Sequence, residues 1–483
     1  MKNKITVIDL NNFSYYPTLA IGYLISFLRK AAFDVTLLSP LNKGIAAPKR
    51  ERIENVSHYW KALVVNSDRV VIKKMMMLAR KLPFVYNFFR SKDQIFESLK
   101  NEVPPGTDLV LISTYFENYY ICRKLCRFLK MKGIPVIIGG PGFNNKTVTR
   151  EWLGLEGVDA IVGSEVDHYL ADLVRDYLDG KEITHYPGVF TKQQRDPDTS
   201  YIFKALDTLP VPDFTDFPWD KYPMRIVPYM TGRGCGWGKC NFCTDVLYVN
   251  GRTFRSMASQ KVLSDLKELS RINKTNLIYF SDIKLNSNLE VWNSLINHLP
   301  EYVQDPRWFG TVHVDNKVNG LDRESLFKAK TAGLMRLSFG FESGSQKLLD
   351  HMRKGTRIEK IERFLNDVHD AGISLRATMF VGYPYEDEED LRLTYEFLKK
   401  NAHCFDRISL SKFQLFEMAP LYPQVMHDFG KVETIHAKFN HNIFTLSKRG
   451  KKYSYYKHKV LRQVNAINSK PLLKDAIPYD GIM

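Results

Sequence analysis

The chain has 483 residues, of which 44% are hydrophobic, and a net charge of +16. That length allows two to four domains with ample core, and the apolar fraction is that of a globular protein rather than a disordered one. No run of 18 apolar residues occurs, so no transmembrane helix is expected, and Met1 to Leu10 runs into a strand without the features of a secretion signal. Six unevenly spaced cysteines are too few for a disulfide scaffold and point to a reducing cytoplasm. Basic residues gather at 49–100, including Arg50, Arg52, Lys73, Lys74, Arg80 and Lys81, and at 448–474, including Lys448. Such segments suit a polyanionic partner, nucleic acid among them, or are simply solvated faces.

Residues 1–190 alternate strand and helix patterns. Strand candidates are Ile5 to Leu10, Val35 to Leu38, Asp108 to Ser113, Pro135 to Ile138 and Ala160 to Val162. Helical spacing runs from Leu19 to Ala32 and from about Asp167 to Leu178. This alternation predicts a doubly wound parallel sheet. Residues 41–105 interrupt it with a basic, mostly helical insertion centred on Met75 to Ala79. Prolines 197, 210, 212, 218 and 223 mark 191–224 as a linker.

Residues 225–419 resume the alternation, with strand candidates at Arg225 to Met230, Leu277 to Phe280, Trp308 to Val312, Met335 to Gly340, Ser374 to Val381 and Arg407 to Leu415. The clearest helix is Gln260 to Ile272. Six such units predict an open, partial (β/α)6 barrel of the TIM type. Residues 420–483 form a small basic, tyrosine-rich segment expected to cap the site or contact substrate.

Cys235, Cys240 and Cys243 lie within nine residues, on a loop carrying Gly232, Gly234, Gly236 and Gly238. Three thiolates leave one coordination position open, where a closed structural zinc or iron–sulfur site takes four protein ligands. A zinc knuckle that borrows a distant ligand is the alternative. The loop follows the first strand of the second domain, and in (β/α) barrels chemistry collects at strand carboxyl ends.

Here the chain resembles the radical SAM superfamily, whose three cysteines usually read C-x3-C-x2-C. This chain has C-x4-C-x2-C. Further signatures resemble the family: Phe280-Ser-Asp282, Leu337 to Ser345, and Met379 to Pro384, then Glu386. Phe416 to Pro423, with Glu417, would form a rim. The resemblance implies that Cys235, Cys240 and Cys243 hold a [4Fe–4S] cluster whose open iron binds S-adenosylmethionine. It also implies cofactor contacts from Phe242, Asp315, Gly340, Glu342, Ser343, Gly382 and Pro384. Glu342 has a second reading as a structural ion pair with a neighbour such as Arg336.

In the first domain, Tyr16 to Leu24, Ile138 to Gly142 and Val162 to Glu165 resemble the cobalamin-binding domain that precedes the radical SAM core in one subgroup. The resemblance implies cobalamin contacts from Gly139, Gly140 and Pro141, with Tyr115 and Phe116 facing the ring. The D-x-H-x-x-G motif is absent, because Asp9 to Phe13 holds no histidine. Cys122 and Cys126 share a helix face and, with Cys404, are expected to be packing thiols.

The function these resemblances imply is cobalamin-dependent radical SAM chemistry, with methylation of an unactivated carbon in a natural-product or peptide substrate. An electron donor such as flavodoxin or ferredoxin would be the partner. Two other readings remain at this level: a radical rearrangement, cyclisation or oxidation without methyl transfer, and a basic nucleic-acid- or peptide-binding protein with a structural cluster.

Overall fold

The computed structural model describes residues 2–11, 15–46, 53–66, 85–244, 253–430, 433–435, 441–443, 449–474 and 476. Met75 to Ala79, and the basic residues Arg50, Arg52, Lys73, Lys74, Arg80, Lys81 and Lys448, lie outside them.

The first sheet has the order β2 (Asp34–Leu38), β1 (Lys4–Asp9), β3 (Leu109–Ser113), β4 (Val136–Gly139), β5 (Ala160–Val162), β6 (Val189–Thr191). The first five strands are parallel and β6 pairs antiparallel with β5. β6 is too short and too close to the proline-rich stretch to show a sequence period. Helices α1 (Leu19–Lys30) and α6 (Leu170–Leu178) bury Ile21, Ile25, Leu28, Leu173 and Val174 on one side. On the other side α4 (Tyr119–Met131) and α5 (Lys146–Leu153) bury Cys122, Cys126 and Trp152. The Cys122 thiol is pushed up to about 12 by burial, as befits a packing residue. Within 41–105 the described helices are α2 (Val56–Val65) and α3 (Val85–Lys100).

The stretch 191–224 is strapped to helix α1. Arg29 of α1 binds Asp213 at 2.7 Å and also Asp216, Ser26 donates to the Val211 carbonyl at 2.9 Å, and Phe214 is buried against Gly22.

The second sheet runs β7 (Ile226–Tyr229), β10 (Leu277–Phe280), β11 (Arg307–Val312), β12 (Leu334–Glu342), β13 (Ser374–Val381), β14 (Arg407–Lys412), all parallel. β7 and β14 are its edges, so the barrel is open as expected. Between β7 and β10 a short hairpin, β8 (Gly232–Gly234) with β9 (Phe254–Ser256), brackets the cysteine loop. Helices α7 (Ser259–Asn273), α8 (Leu289–Tyr302), α9 (Arg323–Thr331), α11 (Ile358–Asp370) and α12 (Glu388–Lys400) cover the outside. A short α10 (Gln346–His351) follows β12.

The carboxyl-terminal segment is built into this frame. Helix α13 (Tyr422–Phe429) comes first, and helix α14 (Lys451–Asn468) lies on α12 and on edge strand β14. The Asn468 side chain accepts from the Ile408 N–H at 2.7 Å and donates to its C=O at 2.9 Å, as a neighbouring strand would. A helix thus closes the edge that an incomplete barrel leaves open.

Candidate active site

The cysteine loop is anchored at three points. At its start, the buried Asp282 carboxylate accepts from Thr231 N (3.0 Å), Thr231 Oγ1 (2.8 Å) and Gly232 N (3.0 Å). Burial outweighs these bonds and raises the Asp282 carboxyl to about 6. In the middle, Trp237 Nε1 donates to the Arg353 carbonyl at 2.8 Å, and its ring stacks on His313 with centroids 6.0 Å apart. Trp237 lies so close over Gly355 (φ +69°) that a Cβ there would meet the indole at 2.0 Å. Only glycine serves that left-handed, crowded position. The four-residue gap between Cys235 and Cys240 thus has a physical account: it carries a tryptophan that pins the loop to the 353–355 turn. At the end of the loop, Asn241 binds the Met352 carbonyl through its N–H (3.1 Å) and the His351 carbonyl through Nδ2 (2.8 Å). It also receives Leu421 N (2.9 Å) and Tyr383 Oη (3.3 Å).

The three thiols are half-buried. Among the described residues no three His, Cys, Asp or Glu side chains are gathered closely enough to enclose an ion. Final convergence of thiolates commonly comes with the metal itself, since ligands repel until a cation joins them. The donor set still fits an iron–sulfur cluster, because a buried cation waits beside it. Burial pushes the Cys240 thiol up, while Lys354 opposes that shift.

Lys354 also pairs with Glu342, Nζ to Oε1 2.9 Å, with both side chains 9% exposed. Burial works against its charge, but Glu342 and the Cys240 and Cys243 thiols hold its pKa above the usual lysine value. Glu342 reaches this place through a register irregularity against β13 and a left-handed φ of 60°. Gly340 makes room, since a Cβ there would lie 2.4 Å from both Glu342 Oε1 and Lys354 Nζ. The ion-pair reading of Glu342 is thus correct in kind, with a different partner. Arg336 sits six residues back along the same strand, roughly 20 Å away at about 3.3 Å per residue.

Phe242 packs edge-on against Phe380 (5.2 Å), with Lys354 Nζ 6.0 Å from its ring. Asp315 and Lys284 form a second buried pair at 2.6 Å. Burial raises the Asp315 carboxyl, but bonding to His313 and Lys284 brings it down to about 2. Burial lowers the His313 imidazole to about 4, so it is neutral beneath Trp237. Gly382 N donates to Glu386 at 2.8 Å, and Pro384 is buried in the same turn. Glu386 is held in turn by Tyr453 (2.5 Å) and Arg449, both from the carboxyl-terminal segment. Glu417 is exposed on the rim. Ser343 is not brought to the site: its buried hydroxyl bonds Thr394 Oγ1 and Ser345 N at 3.1 Å on the outer side of the sheet. Ser343 follows the end of β12, just past the left-handed Glu342, and its hydroxyl turns to Thr394 of α12.

A cavity of about 700 Å3 opens where the two sheets meet. The order 2-1-3-4-5 reverses direction between β1 and β3, and ligands of such sheets bind at that switch point. Asn11, Ser113, Tyr115, Gly139, Gly140 and Pro141 line it there, while Met230, Arg233 and Met418 close it from the barrel side. Phe116 does not face it; the ring packs against Phe143 (5.2 Å) and Trp152 (6.1 Å), where the 116–118 turn directs it. No histidine is among its lining residues.

Sequence reasoning missed Lys354, Lys284, Trp237 and a buried charge network between the sheets. Arg233 binds Asp167 through both terminal nitrogens at 2.6 Å and Glu165 at 3.2 Å, and Arg255 binds Glu165 at 2.7 and 2.9 Å. The two arginines stand opposite each other on the β8–β9 hairpin. Glu165 belongs to the Val162 to Glu165 segment read as a cofactor loop, and it serves as an interdomain anchor.

Residues 229–398 match the radical SAM superfamily. These residues are a radical SAM domain. The domain starts at the last residue of β7 and ends in α12. The chain is 25% identical over 314 residues to an uncharacterized methyltransferase of Pyrococcus horikoshii, covering 63% of this chain and 66% of that protein. It is 24% identical over 349 residues to bacteriochlorophyllide d C-12(1)-methyltransferase of Chlorobaculum tepidum, covering 69% and 70%. The match therefore spans about two thirds of the length of these relatives. Among solved structures, the radical S-adenosylmethionine methyltransferase TsrM from Kitasatospora setae superposes with TM-score 0.63 at 16% identity, over 88% of this chain and 78% of that one. The cobalamin-dependent S-adenosylmethionine radical enzyme OxsB superposes with TM-score 0.66 at 14% identity, over 92% and 64%. These likenesses establish the fold across both sheets. Among the described residues no helix is long and apolar enough to cross a membrane.

Proposed function

We propose that this radical SAM enzyme is a cobalamin-dependent methyltransferase acting on a carbon of a natural-product or peptide substrate. The cavity shared by the two sheets carries this reading. Its mouth is glycine-lined and open, as a broad planar macrocycle requires. Its depth runs between α1 and α6 over Leu111, Ile137 and Val162, an apolar slot suited to a flat aromatic tail. Met230, just after the first barrel strand, joins this cavity to the cysteine loop, with Cys235 five residues on. The names of the methyltransferase relatives agree with the reading.

When bound, the cluster would supply the electron for reductive cleavage of S-adenosylmethionine, and cobalamin the methyl group. Cys235, Cys240 and Cys243 would hold the iron, and Lys354 would offset the negative charge of thiolates and sulfides. Glu342 would offer its carboxylate, now paired with Lys354, to the ammonium group of S-adenosylmethionine. Phe242 and the Gly382-Tyr-Pro384 turn supply apolar and backbone surface for a nucleoside. Trp237, Asn241 and Asp282 keep the loop in place. A reducing cytoplasm suits six unbridged thiols, and a flavodoxin or ferredoxin would be the electron source.

Anaerobic reconstitution tests this. The expected spectrum combines an iron–sulfur shoulder with corrinoid bands. Replacing all three cysteines with alanine removes the shoulder and leaves the corrinoid. Reduced enzyme is expected to form 5′-deoxyadenosine and S-adenosylhomocysteine. Protein that retains no corrinoid after incubation and desalting would sink the proposal.

A further inference from the structure

The proposed chemistry needs an electron from outside, and one face of the barrel is suited to receive it. The 353–355 turn organises this face. Arg353 O holds the Trp237 indole, and Gly355 O accepts from Asn316 N at 2.9 Å. Lys360 Nζ then donates to Asn316 O at 2.5 Å. The cysteine loop, the loop after β11, the turn after α10 and the start of α11 are therefore one contiguous surface. Its exposed cations are Lys239, Lys317, Arg353, Arg357 and Lys360, against the acids Asp350 and Glu359, and Asp350 already binds Gln346 at 2.8 Å. Lys239 stands 5.2 Å over the Trp237 ring. In the midst of these charges Val318 is 85% exposed, an apolar contact with a cationic rim. Trp237 belongs to the same loop as the cysteines, so a partner seated here would contact the loop that would hold the cluster.

We propose that the face formed by Lys239, Lys317, Val318, Arg353, Arg357 and Lys360 docks a small acidic one-electron carrier of the flavodoxin or ferredoxin class. The inference rests on the cluster reading above. Per event, one electron leaves the reduced carrier and enters the oxidised cluster, with no bond formed or broken between the two proteins. Opposite charge on the two faces steers encounter and fixes orientation, so the association weakens with salt. Lysine and arginine rims around a small apolar centre suit a transient interface, which must release its partner after each transfer.

The test compares the chain with a Lys317→Glu/Arg357→Glu variant, using an acidic bacterial flavodoxin as probe. Binding of oxidised flavodoxin to cluster-free protein, measured by calorimetry, is expected to weaken about 10-fold or more in the variant, and in wild type as salt is raised. With reconstituted enzyme, 5′-deoxyadenosine formation driven by reduced flavodoxin is expected to fall by a similar factor. The rate driven by dithionite stays within about 2-fold, because a small reductant needs no docking face. Unchanged flavodoxin affinity and unchanged flavodoxin-driven rate overturn the docking assignment alone. Absence of 5′-deoxyadenosine with dithionite in the wild type overturns the cluster reading instead.

Discussion

Lys354 stands between the two halves of the candidate site. It neutralises Glu342 at 2.9 Å, and the Cys240 and Cys243 thiols add to the field that keeps it charged. A buried ion pair adds little net stability over an apolar pair, but breaking one partner leaves an uncompensated charge. Lys354→Met is therefore expected to destabilise the fold by about 3–5 kcal/mol in urea unfolding. Adding Glu342→Gln to it is expected to return part of that loss, because no bare carboxylate then remains. Lys354→Met with wild-type stability would mean that the pair is not buried as described. The same substitution is expected to slow iron incorporation, since assembling three thiolates and sulfides without a neighbouring cation is electrostatically unfavourable.

At the scale of elements, the device that distinguishes this barrel is the use of α14 as a substitute strand. Asn468 contributes the donor and acceptor that a seventh strand would have offered Ile408. Asn468→Ala leaves both backbone groups of Ile408 unsatisfied in a buried setting, at about 1–3 kcal/mol each. Expected outcomes are a loss of roughly 2–6 kcal/mol and faster amide exchange at Ile408, read by hydrogen-exchange mass spectrometry. Protection at β14 equal to wild type would show that the helix does not seal the edge. This element also marks the limit of what sequence pattern could reveal. The strand–helix alternation and the three cysteines were legible because periodicity and spacing are local properties. The fit of Lys451–Asn468 onto β14 was not, because one asparagine on an amphipathic helix carries no signal of its target. The same holds for Lys354: the Phe341-Glu-Ser-Gly344 signature points to Glu342, whereas its partner lies twelve residues on, beyond a short helix, with no motif around it. Phe116 and Ser343 each follow a residue that does face the site, Tyr115 and Glu342, and a local turn of the backbone directs their side chains elsewhere.

At the scale of the whole molecule, the two sheets must keep the proposed cobalamin cavity and the cysteine loop in fixed relation. Arg233 and Arg255 on the β8–β9 hairpin do this by gripping Asp167 and Glu165 at the end of the first sheet. The hairpin brackets the cysteine loop, so the grip ties the cluster side directly to the cavity wall. Bidentate guanidinium–carboxylate pairs fix orientation as well as distance, which lysine cannot reproduce. Arg233→Ala strips Asp167 of its fork and is expected to cost about 3–5 kcal/mol. It is also expected to raise the rate of proteolysis within 191–224, because the strap between the sheets is protected only while they stay docked. Arg233→Lys should fall between the two, keeping the charge without the fork. Arg233→Ala/Asp167→Ala should be more stable than Arg233→Ala alone, because it leaves no unpaired carboxylate at the interface. Proteolysis at the wild-type rate in Arg233→Ala would show that apolar contacts alone hold the sheets together. Bound corrinoid provides an independent reading: an orienting latch predicts that Arg233→Lys loses cofactor on desalting out of proportion to its intermediate loss of stability, whereas a purely structural pair predicts that stability and retention fall together.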